Sequence, residues 1–250
     1  MIYLKEFETQ AAYNAVKDNL PTPNVSLITD GSEVKYMKET TPPTPVEHEY
    51  VDLGLPSGTL WATMNIGASS ITDTGLYYQW GDTQGYLYNE HEWEDSTYKW
   101  LDVENNVFTK YNYTDGKRVL DDEDDAVIAA WGNGWHIPTK AQCSELIDEN
   151  NTSNVWVTNY QNSGVNGLLI TSLINNRTIF FPANKEIGTE WERISYQSNT
   201  TFGDYPYDGA YEGFSDIFAG ENFSVEVRDE STEYTSYRSY GTSIRPVKDA

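Results

Sequence analysis

Three histidines, His48, His91 and His136, and one cysteine, Cys143, are all that this 250-residue chain offers for base-assisted nucleophilic chemistry. A serine or cysteine triad needs a histidine beside its nucleophile. No serine sits in the Gly-x-Ser-x-Gly turn that would present it for attack. Zinc would need clustered His and Cys, and the sequence clusters neither. Carboxylates are plentiful, 39 in all. A glycosidase needs two placed ones, but among so many acids some pair falls into place by chance. The densest run is LDDEDDAV, 120–127. It lacks the alternating ligands around a central glycine of an EF-hand loop, and acids at the start of a helix also suit its positive end. No catalytic residue, metal ligand or cofactor is therefore assigned, with calcium at 121–125 kept as the one candidate.

The tyrosines late in the chain suggest binding instead. RISYQSNTTFGDYPYDGAYEGFSD (193–216) and EYTSYRSYGTS (233–243) carry Tyr196, Tyr205, Tyr207, Tyr211, Tyr234, Tyr237 and Tyr240 among Ser, Asn, Asp and Gly. Tyrosine supplies broad contact area at low entropic cost, and its small polar neighbours adapt their hydrogen bonds. Such a surface suits sugars or proteins. The same tyrosines could equally pack a small core, and the pattern does not separate the two roles. Phe180, Phe181 and Trp191 are assigned to the core. Arg245 is assigned as a structural hydrogen-bond donor.

These residues need elements to hold them. ETQAAYNAVKDNLPTP predicts a short helix capped by Thr9 and stopped by Pro21, with Ala12, Val16 and Leu20 on one side. NVSLITDGSEVKYMK predicts a hairpin turning at Asp30-Gly31. So small a piece buries little surface alone. Residues 1–38 are therefore read as an attachment or oligomerisation segment, with Phe7, Tyr13, Val16, Val25, Leu27 and Tyr36 as anchor candidates. Residues 39–49, ETTPPTPVEHE, read as a semi-rigid proline-rich linker. From 50 to 250 the chain reads as one α+β domain. Its short strand candidates are Tyr50–Leu53, Thr59–Ala62, Leu168–Thr171, Thr178–Phe181, Phe223–Val227 and Ser243–Val247. Two helices are expected. One spans 121–132 and stops at Gly132; the other spans 138–150 and opens on a Thr139/Gln142 capping box. Leu55-Pro56-Ser57-Gly58 predicts the turn between the first two strands, and Trp61 a core anchor.

The net charge is −23, which repels phosphate backbones and anionic membranes. No run of residues is long and apolar enough for a transmembrane helix, and no secretory signal pattern opens the sequence. Cys143, the lone cysteine, excludes an intrachain disulfide and reads as a small buried hydrophobe.

YVDLGLPSGTLWATMNIGA, YYQWGDT (77–83), LDDEDDAVIAAWGNGWHIPTKAQCSELID (120–148), FFPA (180–183) and GTSIRPV (241–247) resemble, in this order, the Fibrobacter succinogenes major paralogous domain. The resemblance covers roughly 50–248. It implies a C-type-lectin-like fold of short twisted antiparallel strands, two helices and long loops, whose late loops form a binding face. It also implies a structural network around Asp124, Asp125 and the following Trp-Gly turn. Formylglycine-generating relatives of this fold act through paired cysteines, which this chain lacks. Residues 1–38 resemble the N-terminal segments of virion appendage proteins of gut Bacteroidales phages, including crAss-like phages. The expectation is a non-enzymatic virion protein, a head fibre or capsid decoration, assembled in the host cytoplasm and carried on the virion surface. Its partners would be capsid or other virion proteins through the N-terminus, and a bacterial-surface glycan or protein through the lectin-like domain. A homo-oligomer, trimer or dimer, is expected; nucleic acid and membrane insertion are not. A Bacteroidetes cell-surface adhesion module and a glycan-active enzyme are the alternatives.

Overall fold

The computed structural model describes residues 3–7, 24–30, 33–39, 47–105, 107–112, 114–132, 134–185, 192–201, 214–219, 226–227 and 238–250. The chain divides into two compact units, 1–47 and 48–250. His48 and Glu49, expected in the linker, thus belong to the second unit.

In the first unit, β2 (Asn24–Asp30) and β3 (Glu33–Glu39) form the expected hairpin, in a register that pairs Asp30 with Glu33 and Leu27 with Tyr36. Val25 lies on the same strand as Leu27. A strand the sequence did not announce, β1 (Tyr3–Phe7), runs parallel to β2 and sets Phe7 opposite Ile28. Parallel neighbours need a long crossover. The connecting residues, with the expected helix and its Tyr13 and Val16, lie outside the described residues.

The second unit opens with β4 (Tyr50–Asp52) and β5 (Leu60–Ala62), paired antiparallel. Between them the Gly58 N–H donates to the Leu55 carbonyl at 2.8 Å, closing the predicted turn. Pro56 pre-sets its own φ for such a turn, and Gly58 has a φ of +77°. The other edge of β5 pairs with β17 (Val247–Lys248), the last strand of the chain. A strand expected over Ser243–Val247 is split. β16 (Thr242–Ser243) joins a different sheet, and Ile244, Arg245 and Pro246 cross between the two. The crossing is what lets Arg245 point into the core.

That other sheet is the largest. Its order is β15 (Glu226–Val227), β14 (Phe214–Ala219), β13 (Glu192–Thr201), β16 and β6 (Tyr77–Tyr78), with β12 (Asn184–Lys185) also on β13. A third sheet is the antiparallel array β9 (Thr152–Val157), β10 (Gly167–Ser172) and β11 (Thr178–Pro182), with β10 central. A two-stranded ribbon joins β7 (Leu101–Asp102) to β8 (Val107–Phe108).

Both domain helices form. α1 (Ala126–Trp131) is capped by the Asp125 carboxylate, which accepts from the Val127 and Ile128 N–H groups. The acids before it, Asp122–Asp124, form a separate 3-10 turn. Gly132, at φ +88°, ends α1 and sends its N–H to the Ile128 carbonyl. α2 (Lys140–Ile147) carries the full Thr139/Gln142 capping box. Its Cys143 and Leu146 are fully buried against Trp61, Leu168 and Phe181 in one core cluster. A second cluster surrounds Trp80, with Ile137, Val127, Tyr111 and Ile244.

Candidate functional site

The late sheet fixes where the tyrosine-rich segments begin. β14 runs antiparallel to β13, and β15 antiparallel to β14. β13 ends at Thr201 opposite Phe214, where β14 starts, and β15 ends at Val227 opposite Ile217, three positions further along β14. Segment 202–213, with Tyr205, Tyr207 and Tyr211, spans the first gap. Segment 228–237, with Tyr234 and Tyr237, leaves from Val227. All five of these tyrosines lie outside the described residues.

Tyr196 is a correction. It is 1% exposed and belongs to the core, not to a binding face. Its hydroxyl donates to the Pro182 carbonyl at 2.8 Å and accepts from Asn65 Nδ2 at 3.2 Å. Burial pushes its pKa up to about 12. β13 is covered on both faces from Ile194 to Ser198, so no outward position exists at 196. Tyr240 is half-buried, directly before Gly241 and β16.

Gly241 adjoins an aromatic group that the sequence reading passed over. A Cβ there would lie 2.0 Å from the Trp93 ring, so the ring packs on bare backbone. His91 stacks on Tyr86 with centroids 4.0 Å apart and meets Trp93 edge-on, and Tyr88 lies edge-on to Tyr77. Trp93 is buried, while Tyr86, Tyr88 and His91 are half-buried and Leu87 is exposed. The signal was present in GYLYNEHEW (85–93), whose aromatic rings come in two i, i+2 pairs, 86/88 and 91/93.

The acidic run forms a charge cluster. Carboxylate oxygens of Asp121, Glu123 and Asp124 converge within 4.8 Å of one another. The Lys110 ammonium sits among them, at 2.8, 3.2 and 2.6 Å. Tyr111 Oη donates to Asp124 at 2.6 Å, and Lys99 reaches the other Asp124 oxygen at 3.2 Å. Burial pulls the Lys110 pKa down, but its bonds to Asp121, Asp124, Tyr111 and Glu123 outweigh that and raise it. For Asp124, burial pushes up while Lys110, Tyr111 and Lys99 pull harder, so the carboxyl falls below its ordinary range. The position a cation would take is filled by the chain's own ammonium. Asp125 points the other way. Its second oxygen accepts the Ile137 N–H at 2.9 Å, tying α1 to the Trp135–Pro138 segment. Burial raises its pKa despite the three backbone donors.

The three histidines are engaged structurally. His48 stacks on Trp131 with centroids 3.6 Å apart, and burial lowers its pKa. His91 stacks on Tyr86, and His136 Nδ1 bonds the Ile137 carbonyl at 2.9 Å. Cys143 is fully buried.

Among the described residues two arginines are buried, and both lie near β16. Arg238 Nη1 donates to the Tyr111 carbonyl at 3.0 Å, and its guanidinium lies over the Phe108 and Trp80 rings. Arg245 donates to Asn65 Oδ1 at 2.7 Å and to the carbonyls of Ala62, Thr63 and Phe180 at 3.1, 3.2 and 3.1 Å. It thereby joins β5, the loop that follows it and β11, in the structural role expected of it.

No known family model, no curated protein and no solved structure matches the chain.

Proposed function

We propose that this chain is a non-enzymatic virion structural protein, a head fibre or decoration appendage. Residues 1–47 attach it to the particle. The second unit, read as a C-type-lectin-like domain, displays a binding face for bacterial-surface glycans or other virion proteins. The observation that carries the reading is that β13, β14 and β15 are neighbours in one sheet, with Thr201 opposite Phe214 and Val227 opposite Ile217. It starts two tyrosine-rich segments from neighbouring strands of the same sheet. Sites of this kind bind weakly one at a time, and many copies on one particle convert weak contacts into avidity. The structural engagement of all three histidines and of Cys143 is in keeping with a binding role.

Two measurements test it. Co-sedimentation with capsids lacking the appendage compares the full chain with a chain starting at His48. Only the full chain should pellet; equal pelleting of both, or of neither, removes the attachment role. A glycan array then compares the full chain with Y205S/Y207S/Y211S. The triple variant should lose about tenfold or more in retention. Retention unchanged by the triple variant would remove the tyrosine face, and glycan turnover lost on one carboxylate substitution would make the chain an enzyme.

A further inference from the structure

Between Glu149 and Arg177 no residue carries a charge, in a chain whose residues are 22% charged. This stretch supplies β9, β10 and the turns around them. β9 is an edge strand, hydrogen-bonded only to β10 within its sheet. Among the described residues, no backbone group of Ser153–Val157 bonds any element other than β10. Edge strands are ordinarily guarded by a charge, a proline or a bulge. β9, Thr-Ser-Asn-Val-Trp-Val, has none of these.

Its outer face carries Ser153, Val155 and Val157, uncharged and partly apolar. Val155 is 59% exposed. The register sets it beside Leu169 and sets Val157 beside Gly167. Tyr160 stacks flat on Phe180 at 3.8 Å, extending the same uncharged face. Two copies of a chain at −23 repel wherever their charges approach within a Debye length. Repulsion between two copies is least where the surface is neutral, and no residue between Glu149 and Arg177 carries a charge.

We propose that β9 is the interface for a second copy of this chain, pairing antiparallel with its own counterpart about a two-fold axis through Val155. An antiparallel pair of identical strands is self-complementary, as an isologous contact requires. This register sets Val155 against its own copy and Ser153 against Val157, so the most exposed apolar side chain on β9 is covered. The two three-stranded sheets then run on as one. The inference does not rest on the virion reading; it concerns the second unit wherever the protein works.

The test is sedimentation equilibrium of the full chain. V155E should lower the mass twofold, because each glutamate faces another, and V155K should do the same. An equimolar mixture of the two should recover the wild-type mass, since glutamate then faces lysine. Wild-type V155E mass, or a mixture that does not recover, overturns the proposal. Cross-linking checks it without adding a charge. Opposed residues in an antiparallel pair lie about 4.5–5.5 Å apart at Cα, within disulfide reach. V155C should therefore form a covalent dimer on mild oxidation. The one native cysteine, Cys143, is fully buried and leaves the background silent. A V155C chain that stays uncross-linked also overturns the proposal.

Discussion

Lys110 and Arg245 show two ways of holding a positive charge away from water. Lys110, its side chain 17% exposed, is met by three carboxylates near the surface. Arg245, 1% exposed, is met by three backbone carbonyls, one asparagine and the face of Phe181 at 4.5 Å. Among the described residues no carboxylate pairs with it. Carboxylates titrate and are screened by salt; carbonyl dipoles and ring faces do neither. Burial lowers the Arg245 pKa only to about 10, so it stays charged at neutral pH. Among the described residues of so acidic a chain, the deepest cation is held without an acid. The surface cluster should therefore respond to its surroundings and the core cage should not.

The largest effect is expected from Arg245→Met, which leaves four acceptors, three of them buried, without their donor. A loss of about 4 kcal/mol is expected from buried polar groups left unpaired, read by urea unfolding. Arg245→Lys should recover little, because an ammonium cannot span acceptors on three elements as the planar guanidinium does. Full recovery by lysine would reduce the cage to a simple charge site.

Asp124→Asn comes next. It weakens the bonds to Lys110, Lys99 and Tyr111 while keeping shape, for about 2 kcal/mol. A cost as large as that of Arg245→Met would erase the contrast.

Acid titration sharpens it further. Asp124 and Asp121 have depressed pKa values in the folded state. Their stabilisation is present above the unfolded value, about 4, and fades as pH falls through the lowered folded value. Asp125, raised by burial, contributes with the opposite sign and offsets part of that loss. Wild-type stability should thus decline below about pH 4, and Asp124→Asn should flatten the decline. Arg245→Met should shift the whole curve without changing its shape.

Salt gives the smallest effect. Moving from low to about 1 M salt should cost the Lys110 cluster about 0.5 kcal/mol. Arg245→Met and wild type should show the same dependence.

What could be read from the sequence was local. The Leu55–Gly58 turn, the Thr139/Gln142 box and the Gly132 stop each depend on residues within four positions of one another, and each formed as expected. Trp61 was legible because so large an apolar ring has few places outside a core. Tyr196 was not, because a central strand covered on both faces can carry Ser195, Gln197 and Ser198 beside it and look like an exposed loop. The Lys110 cluster was half visible: the acids stood out, but their counter-ion comes from 11 to 14 positions upstream, and only the fold brings it in. β1 was missed because a short strand with two charges in five residues carries no clear alternation. His48 looked like linker because its partner, Trp131, is remote in sequence.

β4 and β17 flank β5 on opposite edges, and both run against it. Tyr50 lies at the Ala62 end of β5 and Lys248 at the Leu60 end. Tension between those two points runs along the strands, crosswise to the ladder bonds that tie them to β5. Those bonds share the load in shear and must yield together, where a zipper would open one tooth at a time. A module pulled between Tyr50 and Lys248 would thus meet the force at a seam loaded in shear.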